Sequence, residues 1–270
     1  MRINRKKIFN WIKIIILLYC SIGIVLYYLQ DKLLFHPKKL SSSYEFRFDR
    51  PFQEVLIPVN NDDTVDMIKF LPKDSLRKGV VVYYHGNMEN VEHYARFADN
   101  FTKHGYEVWM EDYPGFGKST GERTEKKLYE QALQVKKMAM AKYANDNIII
   151  YGKSFGTGIA AYVASVSGCK KLILETPYYS IPDLFNSFSF IYPANAMSNY
   201  KIPTYEFLQD IKAPVVIFHG TEDWIIPYRC VLKLAKELKQ KDKFISITGG
   251  SHNNLGDFKQ FQASLDSLLQ

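Results

Sequence analysis

The chain has 270 residues, 47% hydrophobic and 15% aromatic, which suits one large domain or one domain plus an anchor. The formal charge is +7, but much of the excess sits at Arg2, Arg5, Lys6, Lys7 and Lys13, ahead of an apolar run. With no aromatic-interleaved basic patch and no zinc-finger spacing, no nucleic-acid partner is expected.

Ile14 to Leu29 carries no charged side chain. Together with Ile8, Phe9, Trp11 and Ile12 it approaches the roughly twenty residues that a membrane span needs. A signal peptide would need a small-x-small cleavage site, and Tyr27-Tyr28-Leu29-Gln30-Asp31 offers none. A lipoprotein signal would need a small residue before Cys20, where Tyr19 stands. A helix buried in the body fits the basic flank poorly. The reading is an uncleaved signal-anchor over residues 1–30, N-terminus cytoplasmic and body outside, with Lys32, Lys38 and Lys39 as a weaker counter-signal. Cys20 falls in this run. Cys169 and Cys230 read as buried or half-buried thiols whose pairing is left open.

Residues 31–52 form a juxtamembrane connector whose Leu33-Leu34-Phe35-His36-Pro37 segment is expected to pack on the body or the bilayer surface, and 53–270 the main domain. Gln53–Val59 and Thr64–Leu71 read as a hairpin turning at Asn60–Asp63, followed by a loop at Pro72–Lys78. Gly79–Tyr84 is an almost unbroken apolar strand of the kind covered on both faces. A helix is expected from Val91 to Lys103 and a strand over Tyr106–Glu111, with a glycine-rich loop, Asp112–Gly121, beyond it. Glu122–Tyr143 is helix-like, with Leu128, Ala132, Val135 and Ala139 on one face. Further strands fall at Ile148–Tyr151, Lys171–Glu175, Val215–His219 and Phe244–Thr248. Helices are expected at Phe155–Ser167, Arg229–Lys239 and Asp257–Leu268. This alternation predicts an α/β three-layer sandwich around a mostly parallel sheet. The interval 176–214 is aromatic-rich and broken by Pro177, Pro182, Pro193 and Pro203. It reads as a small cap over the sheet, whose aromatics either pack on the body or line an apolar pocket.

Gly152-Lys153-Ser154-Phe155-Gly156 follows the Ile148–Tyr151 strand and opens a helix, the context of a nucleophile elbow. A serine hydroxyl needs a base, and the base a carboxylate to orient it. After Ser154 only His219 and His252 remain. His252 lies in the loop beyond the last strand and is the expected base. His219 is expected to support its own loop. The acid should follow the preceding strand: Asp223 is preferred, with Glu222 solvent-facing or holding the loop, and Glu175 in reserve. The oxyanion donors expected are the backbone N–H of Phe155 and Asn87, with Met88 the alternative; the Asn87 side chain is expected to tie down its loop. The loop at Asp112–Gly121 lacks phosphate-cradle spacing, and no H-E-x-x-H motif is present, so neither cofactor nor metal is expected.

Tyr84-His85-Gly86-Asn87, Asp112-Tyr113-Pro114-Gly115-Phe116-Gly117-Lys118-Ser119, Gly152–Gly156, His219-Gly220-Thr221-Glu222-Asp223 with Pro227, and Gly250-Ser251-His252-Asn253 occur in this order. As a set, over Gln53–Leu268, they resemble the BEM46-like serine hydrolases of the α/β-hydrolase superfamily. The resemblance implies Ser154, Asp223 and His252 as a triad, and an N-terminal membrane segment. It implies esterase-, thioesterase- or lipase-like chemistry, some relatives removing fatty acyl groups from proteins. Pro114 stands where that loop often carries Arg. Expected partners are an acyl ester or thioester substrate and a membrane; a peptidase or a non-catalytic tethered binding protein are the alternatives. Acyl chain length and oligomeric state are not specified by the sequence.

Overall fold

A computed structural model describes residues 5–60, 63–73 and 77–270. Arg2 of the basic flank, residues 61–62 of the Asn60–Asp63 turn and residues 74–76 of the Pro72–Lys78 loop lie outside them. Helix α1 spans Arg5–Leu34, so it continues past residue 30 into the connector. It is long and apolar enough to cross a membrane, with mean hydropathy 2.2 in its most apolar stretch and little of it buried. A short strand β1 (His36–Pro37) follows. The body then runs β2 (Phe52–Pro58), β3 (Thr64–Phe70), β4 (Gly79–Tyr84), β5 (Met88–Glu89), α2 (Val91–Tyr94), α3 (Asp99–Thr102), β6 (Tyr106–Glu111), α4 (Glu125–Lys142), β7 (Ile148–Lys153), α5 (Gly156–Ser167) and β8 (Lys171–Glu175). The cap interval holds α6 (Ile181–Phe188), α7 (Ala194–Met197) and α8 (Thr204–Asp210). Then come β9 (Val215–Gly220), α9 (Tyr228–Ala235), β10 (Lys243–Ile247) and α10 (Lys259–Leu269).

The eight-stranded sheet has the order β10-β9-β8-β7-β4-β6-β3-β2. It is parallel except where β3 meets β2 and β6. Successive strand side chains point to opposite faces, and the apolar strands use both. Val80, Val82 and Tyr84 of β4 enter one core with α4 and α5, whereas Val81 and Tyr83 enter a second with α2, α3 and α10. This gives the expected three layers. Gly158, Ala160, Ala161 and Ala164 are buried on α5, so that helix lies close to the sheet.

The helix expected over Val91–Lys103 is interrupted. A 3₁₀ turn at Ala95–Phe97 separates α2 from α3. Val91, Tyr94, Ala95, Ala98 and Phe101 are all buried along it. Their spacing fixes which face packs, and that face survives the change in hydrogen-bond pattern. The three cysteines are unpaired.

β4 and β7 are neighbours, yet the chain leaves β4 toward β6 on one side and returns with β7 on the other. Their carboxyl ends therefore flank the crevice where open parallel sheets bind ligands. Asn87 follows β4 there, and Ser154 follows β7.

Candidate active site

Ser154 turns the chain from β7 into α5 with φ of +53°, a left-handed state that costs a residue bearing a Cβ about 1–3 kcal/mol. Hydrogen bonds hold it. The Ser154 N–H donates to Glu175 O at 2.9 Å, and Thr157 donates to Ser154 O through both its N–H and its hydroxyl. Gly156 allows the tight bend: a Cβ there would lie 2.1 Å from Tyr84 O.

Asp223 lies beyond β9 and His252 beyond β10. His252 Nδ1 is 2.8 Å from Asp223 Oδ2, and His252 Nε2 is 2.8 Å from Ser154 Oγ. All three residues are buried. The other Asp223 oxygen accepts the N–H groups of Ile225 and Ile226 at 2.9 and 2.8 Å. Burial pushes the Asp223 carboxyl up. The hydrogen bond and charge of His252, the Ile226 N–H and His219 outweigh it and hold the group below its ordinary range. A carboxylate facing Nδ1 fixes the tautomer that leaves Nε2 able to accept the serine proton. The two loops are pinned together by Glu222 N–H to Gly250 O at 2.9 Å and Gly249 N–H to Thr221 Oγ1 at 2.9 Å.

His219 holds its loop by bonding Ile226 O at 2.9 Å through Nε2, which lies 3.6 Å from Asp223 Oδ2. Burial lowers its pKa, against a smaller opposing pull from Asp223. Glu222 is exposed. Glu175, the reserve acid, is turned elsewhere: its carboxylate accepts from Lys153 Nζ and Tyr151 O–H. Lys153 and Glu175 stand directly opposite each other in the β7–β8 register, both buried. This pair joins the last residue of β7, next to Ser154, to the end of β8.

Neither the Phe155 N–H nor the Asn87 N–H donates to another backbone group among the described residues. The Asn87 side chain donates to the Leu34 carbonyl at the end of α1, and Asn87 O accepts from His36 N–H at 2.9 Å. Met88 and Glu89, next in the loop, pair as β5 with β1. The loop after β4 is thus tied to the end of α1 and to β1, which places the Leu33-Leu34-Phe35-His36-Pro37 segment on the body, one of the two surfaces expected for it. Phe35 packs edge-on against Phe155, with ring centroids 4.9 Å apart. In the glycine-rich loop, Pro114 O accepts from Arg123 at 2.8 Å. No group of three or more His, Cys, Asp and Glu among the described residues could hold a metal ion.

The layered sheet with its elbow at the switch point is the architecture of an α/β-hydrolase. The comparisons agree. Residues 76–207 match the family model described as serine aminopeptidase, S33, a segment that ends before Asp223 and His252. The chain is 26% identical over 197 residues to alpha/beta hydrolase domain-containing protein 17C of Xenopus tropicalis, covering 70% of this chain and 61% of that protein. It is 24% identical to the human protein of the same name, covering 57% of it. The chain thus spans less than two-thirds of the length of these relatives. Among solved structures, an esterase of Pyrococcus furiosus superposes with a TM-score of 0.67 at 18% identity, covering 87% of this chain and 97% of that one. Est1E of Butyrivibrio proteoclasticus with ferulic acid bound gives 0.63 at 18% identity, covering 80% and 96%. The chain has the α/β-hydrolase fold, and its motifs resemble those of the BEM46-like branch.

Proposed function

We propose that this protein is a serine hydrolase that cleaves carboxylic ester or thioester bonds of acylated or apolar substrates. The observation that carries the reading is the unbroken relay Asp223–His252–Ser154, both links 2.8 Å, ending on a serine at positive φ. Ser154 Oγ attacks the acyl carbon while its proton passes to His252 Nε2. The carbonyl oxygen becomes an oxyanion, met by the backbone N–H groups of Phe155 and Asn87. Collapse expels the alcohol or thiol, which takes the proton from His252. Water then enters, gives a proton to His252, attacks the acyl-enzyme and releases the acid, and Ser154 regains its proton. Asp223 stays ionised and stabilises the imidazolium in both halves.

A fluorophosphonate probe and p-nitrophenyl esters of increasing chain length test this, with wild type and Ser154→Ala side by side. Labelling is expected in wild type only, with turnover lower by about 10⁴-fold or more in the variant. Equal labelling and turnover in both would overturn the reading. The match to the serine aminopeptidase model favours a peptidase on the same three residues as second reading. Turnover of aminoacyl p-nitroanilides, and not of esters, would select it.

The domain reading accompanies this proposal: residues 1–30 as anchor, 31–52 as connector, 53–270 as hydrolase domain with 176–214 as cap. The apolar α1 suggests membrane association. Lys6, Lys7 and Lys13 on its N-terminal side favour a cytoplasmic N-terminus and an external body, which protease accessibility in spheroplasts tests.

A further inference from the structure

The cap and α1 share a surface remote from Ser154. Tyr19, Gly23, Tyr27 and Gln30 recur at helical spacing on one face of α1. The cap runs along that face. The rings of Tyr19 and Tyr192 stack with centroids 4.7 Å apart. Tyr19 O–H donates to Ile191 O at 3.0 Å, and Tyr192 O–H donates to Tyr19 O at 3.0 Å. Gly23 makes room, since a Cβ there would come within 3.0 Å of the Tyr192 ring. Nearer the body, Gln30 donates to Met197 O at 3.3 Å and accepts from Asn199 N–H at 2.6 Å. Between these fastenings lies an apolar groove of about 260 Å³, lined by Leu26, Leu33, Phe185, Phe188 and Met197 among others.

Depth decides what surrounds this groove. Tyr19 lies fifteen residues before Leu34, about 22 Å along the helix axis. It also lies within the uncharged stretch from Ile14 to Leu29. An element that stacks on Tyr19 enters whatever layer Tyr19 occupies. The cap has the composition for hydrocarbon: from Leu184 to Tyr200 it carries no charged side chain. At its tip Phe188, Phe190 and Ile191 are 62%, 91% and 61% exposed, an apolar patch that water disfavours. Two backbone groups at the tip are partnered in the way a low-dielectric layer favours: Ile191 O accepts from Tyr19, and Ser189 N–H donates to Phe185 O at 3.0 Å.

We propose that the cap tip lies within the membrane beside α1, and that the groove between them takes a lipid acyl chain entering sideways from the bilayer. This rests on the reading of α1 as a membrane anchor. The site does not include Ser154, but its wall at Leu33 adjoins Leu34, whose carbonyl holds Asn87.

The test places p-benzoylphenylalanine singly at four positions of the full chain. The chain is reconstituted in phosphatidylcholine–phosphatidylglycerol vesicles containing phosphatidylcholine with a photo-stable alkyne on its acyl chain. Leu18 reports the anchor, Phe190 the tip and Met197 the groove. Val166 is the control: it is exposed near the end of α5, at the sheet edge opposite Ser154. Lipid adducts are expected at Leu18, Phe190 and Met197 and absent at Val166. Adducts at Leu18 without Phe190 and Met197 would overturn the proposal and leave the anchor standing. Adducts at Phe190 without Met197 would overturn the acyl-chain groove. Protein–protein adducts at Phe190 would replace lipid with a second copy of the chain. No adduct at Leu18 would overturn the anchor, and the proposal with it.

Discussion

Ser154 shows what a single residue costs and what repays it. Its positive φ is tolerated because Glu175 O, Thr157 and the glycine four positions from Gly152 close the turn around it. Gly156→Ala puts a methyl where the backbone of Tyr84 and His85 already stands. We expect it to lower unfolding free energy by about 1–3 kcal/mol and to abolish fluorophosphonate labelling, read by urea titration and gel fluorescence. Asp223→Asn keeps the shape but reverses the hydrogen bond offered to His252. Turnover is expected to fall by about 10³–10⁴-fold with little change in melting temperature, measured on a short ester. The three residues of the relay were legible because each follows a strand that apolar periodicity marks, and chain order does the rest. Lys153 with Glu175 was not. Their partnership comes from register between two strands, and twenty-odd residues of intervening chain carry no trace of it.

The elements of the sheet could be read because strands buried on both faces are unbroken apolar runs. Helix interiors were less secure: the 3₁₀ turn at Ala95–Phe97 preserves the apolar spacing and so hides in it. The aromatics of the 176–214 interval divide: some pack on the body as expected, Phe185 and Phe188 line the groove beside α1, and Phe190 does neither. Tyr178 and Tyr200 are buried, Tyr178 donating to Phe155 O at 3.0 Å, while Phe185, Phe188 and Phe190 face outward. The residues around Leu33–Pro37 pack on the body. Asp31 pairs with Arg123 at 2.7 Å and accepts from Tyr200 O–H at 2.6 Å, and β1 then braces the loop of Asn87. Two truncations separate these contributions. Deleting residues 1–29 keeps Asp31, Leu34 and β1, and turnover of a short ester is expected within about threefold of wild type. Deleting 1–37 removes the brace, and a loss of about 10²–10³-fold is expected, the scale of a displaced oxyanion donor. Equal activities would show that β1 does not position the loop.

Across the whole molecule, buried acids set the response to pH. Burial, with the charges of Asp112 and Glu54 nearby, raises the Asp66 carboxyl to about 7. Burial, with Asp112, raises Glu111 to about 8. The Asp66 carboxyl has no side-chain hydrogen-bond partner among the described residues, and Gln131 pulls Glu111 down by less than burial raises it. The folded chain thus keeps protons that the unfolded chain, titrating near 4, has released. Stability from these groups is complete below about pH 4 and is lost as pH rises through about 7 to 8. Melting temperature should fall between pH 5 and pH 8.5, and Asp66→Asn should flatten that slope; identical slopes would rule out Asp66 as its source. The bond between Asn87 and Leu34 governs scale of a different kind. A helix is stiff along its axis, and only Phe35 separates it from a strand that pairs with the loop of Asn87. On the proposed reading of α1 as a membrane anchor, Ser154 works at a set height, like a stylus on a fixed arm. Acyl bonds presented at that level fall under it, and the same bond on a long polar stalk passes out of reach.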